Sequence, residues 1–122
     1  MAHDNSIDGL LQRYFNLLYT CDVATFSEVF HPNAQLQTAG TAGYGCLPAA
    51  GYKEVLAKRI SPASLGAIRR DEVLAVDQSS DASAAAKVTA VINGVRYCDY
   101  LSLLKVDGAW LIVAKVYCVL PS

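Results

Sequence analysis

Three side chains of this sequence have the chemical types that proton transfer needs: Asp99, His31 and Tyr14. A carboxyl group and an imidazole exchange protons in general acid-base catalysis, and a tyrosine hydroxyl donates a hydrogen bond to a developing oxyanion. Asp99 stands out because the strand around it is strongly apolar. We therefore name these three residues as candidate catalytic residues, on the condition that the fold brings all of them to one cavity.

Asp99 and His31 also have simpler, structural interpretations. His31 could hydrogen-bond the chain next to Pro32, and we prefer this interpretation to a catalytic one. Burial penalises a charged carboxyl, so Asp99 must find donors such as Tyr14 or Tyr97, or bind a proton more readily. An Asp99→Asn change separates the two roles: a functional Asp99 loses ligand affinity or turnover at nearly unchanged stability, and a structural Asp99 shows the reverse.

Aromatic side chains with a polar tip are frequent in ligand pockets. Aromatic and aliphatic residues of the predicted helices and strands are therefore candidate ligand-binding residues: Tyr14, Leu18, Phe30, Tyr52, Tyr97, Leu101, Trp110 and Ile112. Residues at these spacings more often form an ordinary hydrophobic core. The pattern alone leaves both interpretations open.

The first half of the chain is predicted to be mainly helical. Apolar residues at helical spacing over residues 7–18 predict an amphipathic helix that ends near Cys21. Asp22 is a suitable N-cap for a short second helix, which Pro32 stops at His31. Further along, the pattern predicts a short edge strand at residues 34–38, a glycine-rich loop at 38–51 that rims the pocket, and a third helix at 52–60.

The second half is predicted to be an antiparallel meander. A strand at residues 68–76 precedes three strands that are separated by Asn93-Gly94 and Asp107-Gly108. These dipeptides are strong hairpin signals because type I′ turns need a positive φ at both central residues. Helices followed by a run of antiparallel strands indicate the α+β class.

The two hairpin loops also predict which side chains share a face of the sheet. If each loop has two residues, Leu103 lies opposite Ile112, and Asp99 lies between Val88 and Val116. One face is then apolar apart from Asp99 and receives the helices: Val88, Ala90, Ile92, Val95, Tyr97, Asp99, Leu101, Leu103, Trp110, Ile112, Ala114 and Val116. The other face mixes basic, aromatic and aliphatic residues: Lys87, Thr89, Val91, Arg96, Cys98, Tyr100, Ser102, Leu104, Leu111, Val113, Lys115 and Tyr117.

The mixed outer face predicts a homodimer, because a monomer would expose its apolar part to water. On this face Lys87, Arg96 and Lys115 surround Tyr100. Such a basic cluster could receive an anionic ligand, but it more often marks dimer contacts or a solvated surface.

The composition excludes several other classes of partner. With 53% hydrophobic residues, 17% charged residues and a net charge of -1, the chain has no basic excess for nucleic acid or an anionic membrane. The four cysteines have no metal-binding or redox spacing, and we predict neither a metal nor a cofactor. Without a signal or membrane-spanning pattern, we expect one cytoplasmic domain over residues 1–122, with 1–5 flexible.

Two segments carry a family resemblance: FHPNAQL at residues 30–36 and YLSLLKVDGAWLIVAKVY at residues 100–117. With the helix hairpin before them, they resemble the nuclear transport factor 2-like, or SnoaL-like, superfamily, and within it the branch called putative lumazine-binding. The resemblance implies a cone-shaped α+β fold in which a strongly bent sheet wraps around helices and leaves an internal pocket. It also implies dimerisation through the outer face of the sheet.

The superfamily contains isomerases, dehydratases, cyclases and hydrolases as well as non-catalytic domains, so function does not follow from the fold. We rank a binder of a small apolar or heterocyclic molecule first. The alternatives are a lyase, isomerase or hydrolase that uses Asp99 and His31 with Tyr14, and a non-catalytic association domain with a filled interior. No complete catalytic set of the superfamily is present, so the sequence does not decide whether the chain is an enzyme.

Overall fold

Helices cover one face of a bent six-stranded sheet in the computed structural model, which describes residues 4–121. The helical elements are α1 (Ile7–Thr20), a 3-10 helix (Val23–Glu28), α2 (Ala49–Lys58) and a short 3-10 helix (Ala63–Leu65). The strands are β1 (Phe30–Gly40), β2 (Gly43–Pro48), β3 (Asp71–Ser80), β4 (Ser83–Ile92), β5 (Val95–Val106) and β6 (Ala109–Val119). The predicted α+β class and the nuclear transport factor 2-like architecture are confirmed.

Capping explains where the N-terminal helices begin and end. The Ser6 hydroxyl accepts a hydrogen bond from the Gly9 N–H at 3.0 Å at the start of α1, and Cys21 ends the helix in the left-handed region with φ 54°. The Asp22 carboxylate caps the next element by accepting from the Ala24 N–H at 3.1 Å. This element is a 3-10 helix and not the predicted α-helix, so His31 lies in β1 and not at a helix end.

The strand order is β2-β1-β6-β5-β4-β3, with β1 and β6 parallel and the other neighbours antiparallel. The prediction of a loop at residues 38–51 was wrong, because β1 continues to Gly40, β2 pairs with it, and α2 begins at Ala49. The predicted start of β3 was also too early. β2 and β3 are the two edges, so the sheet wraps around α1 and α2 without closing into a barrel.

Both predicted hairpin turns are present. Asn93 and Asp107 have φ 50°, and the glycines that follow them, Gly94 and Gly108, have φ 83°, as type I′ turns require. The predicted register between β4 and β5 is confirmed along the whole pair, with Val88 opposite Asp99. Local turn chemistry therefore positions these strands correctly.

A β-bulge in β6 changes which side chains face the helices. Leu103 pairs with Ile112 as predicted, but Ser102 pairs with Ala114, so Val113 is an extra residue in β6. An extra residue reverses the alternation beyond it. Asp99 therefore pairs with Tyr117 and not with Val116. The assignments after the bulge were wrong: Lys115 and Tyr117 line the interior, whereas Val116 is exposed on the outer face.

The hydrophobic core lies between the helices and the concave face of the sheet. An aromatic group forms its centre, with Phe26 stacked on Phe30 at a ring-centroid distance of 5.0 Å and Tyr14 and Tyr52 meeting Phe30 edge-on at 6.0 and 5.6 Å. No helix within residues 4–121 has the length and apolarity to cross a membrane. Of the segment predicted to be flexible, residues 1–3 lie outside the described part of the chain.

Candidate functional site

A cavity of about 160 Å³ lies between α2 and the bent end of the sheet. Strands β1, β2, β4, β5 and β6 form its walls, and α2 lies across it. The lining combines apolar, aromatic and charged side chains: Leu36, Leu47, Tyr52, Val55, Arg59, Ile92, Tyr97, Asp99, Lys115 and Tyr117. Concave sites of this mixed character are typical of ligand-binding proteins.

Asp99 forms the polar part of the cavity wall. Its side chain is 2% exposed, which confirms the predicted burial, and its Oδ2 accepts a hydrogen bond from the Tyr14 hydroxyl at 2.6 Å. The same Oδ2 lies 3.8 Å from the Lys115 ammonium. The other oxygen, Oδ1, is buried and has no hydrogen-bond partner within residues 4–121. A buried acceptor without a partner is costly, so Asp99 has an unfilled site for a donor.

Tyr14 lies behind Asp99, in the core, and is not part of the cavity lining. Burial raises the pKa of the Tyr14 hydroxyl well above its ordinary value, and the negative charge of Asp99 raises it further. The hydroxyl therefore stays protonated at neutral pH and remains a donor to Asp99. In this geometry Tyr14 orients the Asp99 carboxylate. A molecule in the cavity would contact Asp99 and not Tyr14.

Lys115 is the buried cation of the site, with only 6% of the residue exposed. Its ammonium lies over three tyrosine rings, 5.2 Å from the centroid of Tyr14, 5.0 Å from Tyr52 and 5.3 Å from Tyr117. The negative face of an aromatic ring attracts a cation in this position. The bulge in β6 places Lys115 here, and bulges are frequent next to functional sites because they re-aim a side chain.

Arg59 supplies a second cation from the end of α2. Its Nη1 atom is buried and has no hydrogen-bond partner among the described residues. Arg59 is not among the predicted site residues, because a basic residue of an amphipathic helix usually lies on its solvated side. The only available signal was its position just before the helix-stopping residues Ser61 and Pro62, where a helix end can turn toward the sheet.

The structure brings only some of the predicted site residues together. Tyr52, Tyr97 and Asp99 line the cavity. Tyr14 is not in the lining but donates a hydrogen bond to Asp99. His31 is not in the lining, and its Nδ1 accepts a hydrogen bond from the Asn33 N–H at 3.0 Å. The three candidate catalytic residues therefore do not share this cavity.

The remaining predicted ligand-binding residues lie elsewhere in the fold. Phe30, Leu101 and Ile112 belong to the buried core. Leu18 borders a small depression of about 10 Å³, and Trp110 borders an open groove between α1 and β3. The residues that the prediction missed come from β1, β2, α2 and its C-cap, the end of β4, and the part of β6 after the bulge: Leu36, Leu47, Val55, Arg59, Ile92, Lys115 and Tyr117.

The arrangement can bind and polarise a small molecule. Two cations and one carboxylate face a cavity whose other walls are apolar or aromatic. Hydrogen bonds and charge interactions are stronger in such a desolvated site than in water. Within residues 4–121, no three His, Cys, Asp or Glu side chains are grouped so that they could hold a metal ion.

Several proteins of known structure share this fold. An NTF2-like protein of unknown function from Shewanella baltica OS155 is 24% identical, with a TM-score of 0.83, over 95% of this chain and 92% of that one. An NTF-2 like protein of unknown function from Silicibacter pomeroyi DSS-3 is 18% identical, with a TM-score of 0.79, over 93% and 92% of the two chains. A ketosteroid isomerase-like protein from Erwinia carotovora atroseptica SCRI1043 is 15% identical, with a TM-score of 0.70, over 95% of each chain.

No curated protein matches the sequence. The structural similarities, all below 25% identity, establish the fold and not the activity. A family model described as "Putative lumazine-binding" matches residues 2–118, which is nearly the whole chain. The protein therefore belongs to the putative lumazine-binding family of nuclear transport factor 2-like domains.

Proposed function

We propose that this protein is a small-molecule-binding domain whose ligand occupies the cavity between α2 and the sheet. The observation that carries the proposal is that two residues of the cavity lining each have a buried polar atom without a hydrogen-bond partner within residues 4–121, namely Asp99 Oδ1 and Arg59 Nη1. Buried polar groups in folded proteins are nearly always satisfied, so these atoms call for a ligand or ordered water.

The cavity has room for a compact ring. At about 160 Å³ it is similar in size to an engineered apolar cavity of roughly 150 Å³ that binds benzene. The rings of Tyr52, Tyr97 and Tyr117 offer flat surfaces for a planar molecule. An aromatic or heterocyclic ligand fits these walls better than an extended chain, and lumazine, which the family description names, is one heterocycle to test.

A thermal-shift panel of small aromatic and heterocyclic compounds, lumazine included, should contain at least one that raises Tm. A ligand at one hundred times its Kd adds about 2.7 kcal/mol to the stability of the native state. A Val55→Trp variant should abolish the shift, because Val55 lines the cavity on α2 and is 41% exposed, so that an indole fills the cavity without disturbing the core.

Leu65→Trp is the matched control, since Leu65 is exposed and outside the cavity lining. This variant should respond to the ligand as the unmodified protein does. A panel without any stabiliser would contradict the proposal and favour the association domain. So would a stabiliser that acts equally on Val55→Trp.

A second candidate function, proton transfer by an isomerase, lyase or hydrolase, has one specific observation in its favour. Asp99 faces the cavity and is oriented by the Tyr14 hydroxyl at 2.6 Å, as a general base needs. His31 lies outside the cavity lining, so this function would depend on the charged residues that line the cavity, Asp99, Lys115 and Arg59. Binding without chemistry requires fewer groups and remains our first choice.

We also propose a homodimer that forms through the outer face of the sheet. Tyr100 and Val116 are direct neighbours on β5 and β6, are 55% and 51% exposed, and lie on the same face as the exposed Leu104. An apolar patch of this kind on a sheet is typical of an interface. A second copy of the chain would cover it symmetrically.

Sedimentation at micromolar concentration should show a dimer. A Val116→Glu change should convert it to a monomer, because the change places a carboxylate from each copy in the apolar part of the proposed interface. Ile68→Glu is the control, since Ile68 is 78% exposed but lies outside the sheet. A monomeric unmodified protein, or a dimer that survives Val116→Glu, would contradict the proposed interface.

A further inference from the structure

We infer that the natural ligand is a small, planar monocarboxylate that also carries an N–H or O–H donor. Its carboxylate would lie against Arg59 and Lys115, and its donor would bind Asp99 Oδ1. This inference rests on the proposed binding function and adds to it the charge and the hydrogen-bonding pattern of the ligand.

The charge follows from the ionisable groups that line the cavity. The lining contains two basic residues, Arg59 and Lys115, and one acidic residue, Asp99, so its formal charge is one positive unit in excess. A charge in a desolvated site is costly unless it is paired. A bound monoanion would neutralise the site, whereas a neutral molecule would leave the excess charge and a dianion would reverse it.

Both cations have room for a hydrogen bond to a ligand, although Lys115 is also the ion-pair partner of Asp99. Among the residues that the structure describes, no acceptor contacts the buried Arg59 Nη1, and guanidinium groups bind carboxylates with matched planar geometry. The Lys115 ammonium lies 3.8 Å from Asp99 Oδ2, beyond hydrogen-bonding distance, and its other close contacts are tyrosine rings. Both cations can therefore donate to a ligand without breaking an existing hydrogen bond of these atoms.

The donor on the ligand follows from Asp99. Its Oδ2 already accepts the hydrogen bond from the Tyr14 hydroxyl. Its Oδ1 is buried and accepts no hydrogen bond from the described part of the chain. An ionised carboxylate only accepts hydrogen bonds, so the group that fills this position must donate. A ring with a carboxylate on one side and an N–H or O–H on the other would satisfy all three polar groups.

The test compares each acid with its own amide by isothermal titration calorimetry: pyrrole-2-carboxylate against pyrrole-2-carboxamide, and 4-hydroxybenzoate against 4-hydroxybenzamide. Within each pair the shape is nearly constant and the charge changes. We expect the acid to bind at least about 10-fold more tightly than the amide, as for a hydrogen bond to a charged group. Phenyl phosphate tests a dianion, and we expect it to bind more weakly than the better of the two acids.

Arg59→Gln should weaken binding of the acid by about 10- to 100-fold and leave binding of the amide within about 3-fold. Lys58→Gln is the matched control: it removes the same charge from the neighbouring residue of α2, which is exposed and outside the lining, and should change neither affinity. The Val55→Trp variant shows whether any binding that is seen takes place in the cavity.

The outcomes separate this inference from the proposed function. If amides bind in the cavity as tightly as acids, or phenyl phosphate binds most tightly, the monocarboxylate inference is wrong and the binding function stands. Equal effects of Arg59→Gln and Lys58→Gln would overturn the assigned contact. If no acid binds at millimolar concentration while the thermal-shift panel contains a cavity ligand, the inference fails alone; if neither binds, both fail.

Discussion

Replacing Asp99 with asparagine should lower the free energy of unfolding by about 3 kcal/mol, the low end of the cost of breaking a buried ion pair. Asparagine keeps an acceptor for the Tyr14 hydroxyl but removes the negative charge, so Lys115 is left without its counter-charge. The side chains of Lys115 and Asp99 are 7% and 2% exposed, so water compensates little of this loss. Urea denaturation of the variant and the unmodified protein measures the difference.

A double-mutant cycle separates the charge from the other contacts of Asp99. Adding Lys115→Met to Asp99→Asn removes the unpaired cation and should restore most of the stability, since apolar replacements of buried ion pairs are often neutral. Asp77→Asn, at an exposed position of β3, is the control and should change stability by less than about 0.5 kcal/mol. If Asp99→Asn proves as stable as the unmodified protein, the pair contributes nothing to folding and Asp99 serves the ligand alone.

Replacing Phe30 with alanine should cost about 3–5 kcal/mol of stability, as for other buried phenylalanines. Phe30 is 1% exposed, stacks on Phe26 at 5.0 Å and supports the ring of Tyr52 at 5.6 Å. Its loss leaves a hole in the core directly behind a wall of the cavity. We therefore expect weaker ligand binding in addition to the lower stability, because Tyr52 can move into that hole.

Tyr44→Ala is the control for this change, because Tyr44 is an aromatic residue that is 71% exposed on β2. Chemical denaturation should show a change of less than about 1 kcal/mol for this variant. A loss of similar size at both positions would mean that the aromatic cluster around Phe30 does not stabilise the fold in the way its contacts indicate.

The sequence by itself determined the features that depend on local chemistry. Asn93-Gly94 and Asp107-Gly108 predicted both type I′ turns, because few other residue pairs adopt a positive φ at both positions. The apolar spacing in residues 7–18 predicted α1, and the β4–β5 register followed from the turn. The burial of Asp99 was predicted on this basis, and Tyr14, one of the two tyrosines considered as its donor, makes the hydrogen bond.

Strand β2 could not be predicted from the local chemistry of its residues. Gly43–Pro48 holds two glycines and a proline, which have low strand propensity, and it becomes a strand only by pairing with β1 at the edge of the sheet. The type of the second helix also could not be predicted from local chemistry, since a short segment capped by Asp22 is compatible with both α and 3-10 geometry.

The cavity itself was decided by the tertiary structure. Leu111, Ile112 and Val113 are all apolar, so the sequence pattern does not show which of them is the extra residue of a bulge. In the folded sheet, where β6 lies between β5 and the parallel strand β1, Val113 is the extra residue. Because of this bulge, Lys115 points to the inner face, next to Asp99, and not to the predicted outer face. The position of Arg59 in the cavity lining likewise depends on how the end of α2 packs against the sheet. Side chains that alternate along a strand can be assigned from sequence only as far as the first bulge, and here Lys115 lies beyond it.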